Sequence, residues 1–135
     1  MNTPPVGDQG SEGSCVGWAT GYTALGILSF PKYNCWNLAE RSPNYVYNQI
    51  KLGSNCASGS QIPLGLNLIQ NQGDCSWNAM PYIDGDCATQ PNAAQQAEAA
   101  QNKALKWVKL NTTDYSSMQR ALDLGYPVVI EVPVY

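Results

Sequence analysis

The chain has 135 residues, enough for one modest domain or part of a larger one with a real apolar core. Apolar residues make up 44% and charged residues only 13%, which argues against disorder. A net charge of −3 and a pI near 4.6 leave no basic footprint for nucleic acid, and the apolar runs are too short and interrupted to span a bilayer. Met1 leads directly into Asn-Thr-Pro-Pro, without the charged and apolar regions of a secretory leader.

The first element expected is a buried helix from Cys15 to about Phe30. Val16, Ala19, Tyr22, Ala24, Leu25, Ile27 and Leu28 fit helical better than alternating spacing. Gly17, Gly21 and Gly26 weaken it by propensity, and suggest that another element packs closely against it. Pro31 is expected to stop it. Ser42-Pro43 reads as an N-cap serine followed by proline at the first helical position, opening a helix through Tyr45, Val46 and Ile50 toward Gly53.

A third helix is expected through Leu64, Leu66, Leu68 and Ile69, capped by Ser60 and ending at Gly73. The alanine- and glutamine-rich stretch from Pro91 to Gln101 reads as a solvated helix. Ala104 to Leu110 alternates like a strand. Asp114 or Ser116 opens a last short helix through Met118, Ala121 and Leu122, with Gly125 after it. The β-branched run from Pro127 to Tyr135 reads as a strand whose free apolar edge invites pairing with another chain. No internal repeat or interdomain linker interrupts the chain.

Cysteines stand at positions 15, 35, 56, 75 and 87. The odd count suggests four paired and one free, which places the protein outside the cytosol; the alternative is five reduced core thiols. No CxxC spacing and no histidine occur, so no metal site is expected. Asp84 and Asp86 resemble a calcium loop only superficially, because the remaining spacing is missing.

Chemistry concentrates in Gln9-Gly10-Ser11-Glu12-Gly13-Ser14-Cys15-Val16-Gly17-Trp18. A cysteine that follows a glycine- and serine-rich loop and opens a helix meets backbone N–H groups and the positive end of the helix dipole, which favour the thiolate. The Gln9 amide can turn back across the loop and donate to an oxyanion formed when Cys15 attacks a carbonyl. Gly10 and Gly13 let the backbone pass close to a substrate.

These residues resemble the nucleophile loop of the papain-like cysteine peptidases, whose pattern is Q-G-x-C-G-S-C-W. Gln9, Gly10, Gly13, Ser14 and Cys15 match at the same spacing. Thr3-Pro4-Pro5-Val6 is similar to the family's mature start, and Ser42-Pro43-Asn44-Tyr45-Val46-Tyr47 to the helix that follows. Cys56-Ala57-Ser58-Gly59-Ser60, with Leu66 to Gly73, resembles the family's C-x-G-G segment and its helix. Met80-Pro81-Tyr82 resembles its aromatic-Pro-Tyr corner, and Pro127-Val128-Val129 the start of its β-rich lobe.

The resemblance implies an α+β fold. A helical lobe over about 1–103 would be followed by the first strand or strands of a β-rich lobe over about 104–135, the whole forming one incomplete peptidase domain. It implies hydrolysis of peptide or protein substrates, without a cofactor, by an extracellular or periplasmic enzyme. Cys15 would be the nucleophile and Gln9 the oxyanion donor. Gly59 and Ser60 would bind the substrate backbone, and Ile62 would line a pocket for a substrate side chain.

Three departures accompany it. Glu12 stands where the family usually has a cysteine bonded to the one matching Cys56. Cys56 is then free to pair with Cys35, and Cys75 with Cys87, one of three connectivities. Val16 replaces a tryptophan. The family's base lies roughly 130–150 residues beyond the cysteine, past the end of this sequence. The expectation is therefore a fragment, inactive alone, that self-associates through its C-terminal strand. The alternative is a naturally dead homologue that binds peptides or a partner chain.

Overall fold

The computed structural model describes residues 1–133. One continuous helical rod opens the fold. It comprises α1 (Cys15–Gly17), a π-helical stretch (Trp18–Leu25) and α2 (Gly26–Tyr33). The π-helical stretch is long for so rare a conformation. The Thr20 hydroxyl donates to the Val16 carbonyl at 2.7 Å, competing for an acceptor of the backbone ladder.

Pro31 does not stop the rod, which runs two residues further and ends at Asn34 in the left-handed region, φ 55°. Pro31 has no N–H for the Ile27 carbonyl, so it costs the helix one bond of its ladder without ending it. α3 (Trp36–Ala39) is a single short turn that packs back against α2.

α4 (Pro43–Ile50) begins as the sequence implies. The Ser42 hydroxyl accepts the Tyr45 N–H at 3.0 Å, and Pro43 occupies the first turn. Its hydroxyl also donates to the Met80 carbonyl at 2.6 Å, tying the cap to the turn before Tyr82. α4 ends at Ile50, short of Gly53.

α5 (Ile62–Asn71) is capped by Gln61 without a side-chain bond. Ser60 does not cap it, because its hydroxyl donates instead to the Ile50 carbonyl at 2.8 Å. α6 (Ala93–Ala99) opens with a capping box between Asn92 and Gln95. α7 (Tyr115–Asp123) is capped by Asp114, which accepts the Ser117 N–H at 3.1 Å.

The core forms where the rod, α4 and α5 meet. Val16, Leu25, Tyr45, Val46, Leu68 and Ile69 are buried together, each large side chain contributing roughly 1.5–3 kcal/mol. Two glycines allow the close approach. A Cβ on Gly17 would lie 2.6 Å from the Pro43 carbonyl oxygen, and one on Gly21 would lie 2.8 Å from Val46 Cγ2. A side chain at either position would push α4 away.

The α+β expectation is overturned. The described residues form helices and irregular segments without a sheet, and their one β-bridge joins Arg41 to Ser76. Neither 104–110 nor 127–133 is a strand; Val134 and Tyr135 lie outside the described residues. The physical reason is pairing. β-Branched and alternating residues become strands only against a ladder partner, and the described residues supply none. Leu105, Ile130 and Val132 are accordingly 97%, 67% and 61% exposed.

Candidate functional site

Cys15 is the first residue of the rod, and it is exposed. The preceding loop is folded by its own polar groups. Asp8 accepts the Gly10 N–H at 2.8 Å in an Asx-type turn, and Gly10 sits at φ +65°. The Gln9 side-chain amide donates to the Glu12 carbonyl at 2.8 Å. One of its two N–H groups is thus used within the loop, while the other remains for a further acceptor.

A second segment docks against this loop. The Gly13 N–H donates to the Cys56 carbonyl at 2.8 Å. A Cβ on Gly13 would meet the Ser58 and Ala57 carbonyl oxygens at 2.7 and 2.8 Å. From the other side, the Tyr47 hydroxyl lies 3.0 Å from the Cys56 oxygen and 2.6 Å from the Ser58 oxygen, donating to these carbonyls. The segment is held between α4 and the loop before Cys15, so Gly59 and Ser60 follow directly on residues that touch Gly13.

Gly59 is exposed, with open space where a Cβ would stand, and its carbonyl accepts the Leu52 N–H at 3.0 Å. Ser60 is half-buried, with its hydroxyl turned to Ile50. Ile62, at the start of α5, packs partly against the core, which leaves only part of its side chain for any pocket.

A third segment, residues 82–87, grips the same loop. The Tyr82 hydroxyl meets the Gln9 carbonyl, Ser14 Oγ at 2.8 Å and Glu12 Oε2 at 3.1 Å. Its ring stacks edge-on against Trp18, with centroids 4.9 Å apart. Asp84 accepts the Ser11 N–H at 3.0 Å and its hydroxyl at 3.1 Å, and these bonds hold its carboxyl below the usual range. Asp84 is therefore a loop clamp. Asp86 accepts the Thr89 hydroxyl at 2.7 Å.

Glu12 is the buried centre of this arrangement, only 2% exposed. Its carboxylate accepts the Gly85 N–H at 2.9 Å and the Tyr82 hydroxyl. Burial raises its pKa; the Tyr82 and Gly85 bonds oppose that rise, while the charges of Asp84 and Asp86 add to it.

The expected disulfides, Cys35–Cys56 and Cys75–Cys87, do not form. Cys56 pairs with Cys87, with Cα atoms 5.4 Å apart, while Cys15, Cys35 and Cys75 are free. Gly13 and Tyr47 pin the Cys56 carbonyl beside the 82–87 turn, whereas Cys75 is wholly buried and Cys35 lies exposed. The bridge fits an oxidising compartment, and no helix among the described residues is long and apolar enough to cross a membrane.

Cys15 and Gln9 stand on one segment and Gly59 and Ser60 on another, and the two are in contact through Gly13. The sequence by itself assigns no role to Glu12, Tyr82 or Asp84. The available signals were weak: an acid in place of a cysteine, and a tyrosine in the Met80-Pro81-Tyr82 corner.

No protein-family model matches the sequence, and no curated protein matches it. Among solved structures, the fold is similar to that of xylellain, a cysteine protease from Xylella fastidiosa. The TM-score is 0.74 at 22% identity, over 91% of this chain and 52% of that one. The chain thus spans about half the length of the structure it matches, and the likeness shows a shared fold.

Proposed function

We propose that the chain carries the thiol side of a papain-type cysteine peptidase site. Cys15 attacks the scissile carbonyl, and the unused Gln9 N–H donates to the resulting oxyanion. Gly59 and Ser60 hold the substrate backbone, and the exposed part of Ile62 lines a side-chain pocket. The observation that carries this reading is an exposed cysteine at the start of a helix, on a loop docked against Cys56–Ser58. The fold likeness to a cysteine protease adds to it.

Such chemistry needs a base to activate the thiol and an acid for the leaving amine. These 135 residues contain no histidine, so the chain alone turns over no peptide. The disulfide supports an extracellular or periplasmic setting. In a second reading the same docked segments bind peptides without cleaving them.

A peptidyl chloromethyl ketone and iodoacetamide, compared by mass mapping, test the first reading. The peptidyl reagent should modify Cys15 at least ~10-fold faster than Cys35, which is also exposed, and Gly59→Arg should remove that preference. Equal labelling of both cysteines overturns it. Peptide turnover by the chain alone, abolished by Cys15→Ala, overturns the requirement for an external base. Peptide affinity unchanged by Cys15→Ala, with no preferential labelling, favours the binding homologue.

A further inference from the structure

Three chemically distinct segments converge beneath the nucleophile loop. One ligand atom each from Glu12, Cys56 and Cys87 lies within 4.8 Å of the others. Glu12 and Cys87 are buried, and Cys56 is half-buried. No sequence spacing reveals this cluster, because its members stand 44 and 31 residues apart along the chain.

The carboxylate has the character of a ligand already aimed. It is removed from water, yet its partners among the described residues are the neutral Gly85 N–H and Tyr82 hydroxyl. A buried carboxylate held by two neutral donors and facing two sulfur atoms lacks the positive charge that such burial normally demands. The same two donors would serve as the outer hydrogen bonds that orient a metal-binding carboxylate.

We propose that the reduced form of the protein binds a thiophilic divalent cation, Zn²⁺ being the best fit, through Glu12, Cys56 and Cys87. A dithiol reductant delivers two electrons and two protons to the Cys56–Cys87 bridge and is itself oxidised to a disulfide. Metal binding then displaces both thiol protons, leaving two thiolates and one carboxylate on the cation. Zn–S bonds of about 2.3 Å and Zn–O bonds of about 2.0 Å set tetrahedral ligand atoms roughly 3.5–3.8 Å apart; the Glu12 oxygen already lies within 4.8 Å of both sulfurs, which are bonded to each other here and move apart once reduced. Water takes the fourth position.

The consequence is a cross-link that survives reduction. In the oxidised protein the disulfide ties the segment against Gly13 to the turn that grips Glu12 and Ser14. In the reduced protein the metal would tie the same segments together, with Glu12 joining the nucleophile loop to the knot. The site does not depend on the peptidase reading, since none of its three residues takes part in that chemistry.

Anaerobic Co²⁺ titration tests it, on the 135-residue chain with Cys15→Ser and Cys35→Ser removing the other exposed thiols. After reduction with a phosphine, one Co²⁺ per chain should bind with a thiolate-to-metal charge-transfer band, and one equivalent of Zn²⁺ should displace it. The disulfide form should show no band. Glu12→Gln should weaken binding at least ~10-fold, and Cys56→Ser should abolish the band.

No band in the reduced protein, an equal band in the disulfide form, or a band indifferent to Glu12→Gln and Cys56→Ser each overturns the proposal. Should those variants fail to fold, protection from alkylation decides on the unsubstituted ligand set. Zn²⁺ should shield Cys56 and Cys87 together in the reduced protein, and failure to shield either of them rejects the site.

Discussion

Removing the Cys56–Cys87 bridge, as Cys56→Ser with Cys87→Ala, gives a quantitative test of what holds the candidate site together. The bridge closes a loop of 31 residues. The chain-entropy relation assigns such a loop about 12 cal/mol/K in the unfolded state, or about 3.7 kcal/mol at 25 °C. Spread over an unfolding entropy of about 2.1 cal/mol/K per residue, that is a fall of about 13 °C in Tm. Urea denaturation and thermal melting in the presence of a chelator measure both quantities.

The mechanism makes a second demand. If the bridge acts by restricting the unfolded chain, its loss lets that chain expand, so the urea m-value of the variant should rise. The folded state should also respond near Cys15, because the two linked segments contact Gly13, Glu12 and Ser14. A loss under 1 kcal/mol with an unchanged m-value would refute the reasoning.

Four further outcomes follow from particular contacts. Tyr82→Phe removes the hydroxyl shared by Gln9, Ser14 and Glu12 and should cost about 1–3 kcal/mol in urea while altering the alkylation rate of Cys15; neither changing refutes the clamp. Gly13→Ala must move backbone carbonyls and should cost about 1–3 kcal/mol, whereas Gly59→Ala meets open space and should stay within about 0.5 kcal/mol; the reverse order in denaturation midpoints contradicts the docking.

Asp74 is wholly buried, and burial raises its pKa well above 3.8, opposed in part by the Arg41 charge and the Ser42 and Cys75 backbone N–H groups. The folded protein therefore holds this proton more tightly than the unfolded chain. The stability it supplies is complete below the ordinary aspartate range and is lost as pH rises through the raised value. Asp74→Asn should flatten the fall in stability toward neutral pH; an unchanged profile rejects the assignment. Leu105 and Ile130 should drive self-association, so light scattering should report oligomers that Leu105→Glu with Ile130→Glu disperses, and a monomer at high concentration argues against it.

Local chemistry was legible in the residues themselves. Ser42-Pro43 and Asp114 become helix caps because a short polar side chain before a helical run satisfies free N–H groups whatever surrounds it. The rod from Cys15 and the close approach at Gly17 and Gly21 also follow from apolar spacing and missing side chains.

Properties that depend on distant partners were not legible. The run from Pro127 carries strand-forming residues, but a strand exists only with a neighbour, and none of the described residues provides one. Cys56 chose Cys87 over Cys35 because Gly13 and Tyr47 hold its backbone beside the 82–87 turn, a juxtaposition that spacing along the chain does not encode. Glu12 shows the same division. Its identity marks a departure from a peptidase motif, while its burial between two sulfurs and a tyrosine is decided by tertiary contacts alone.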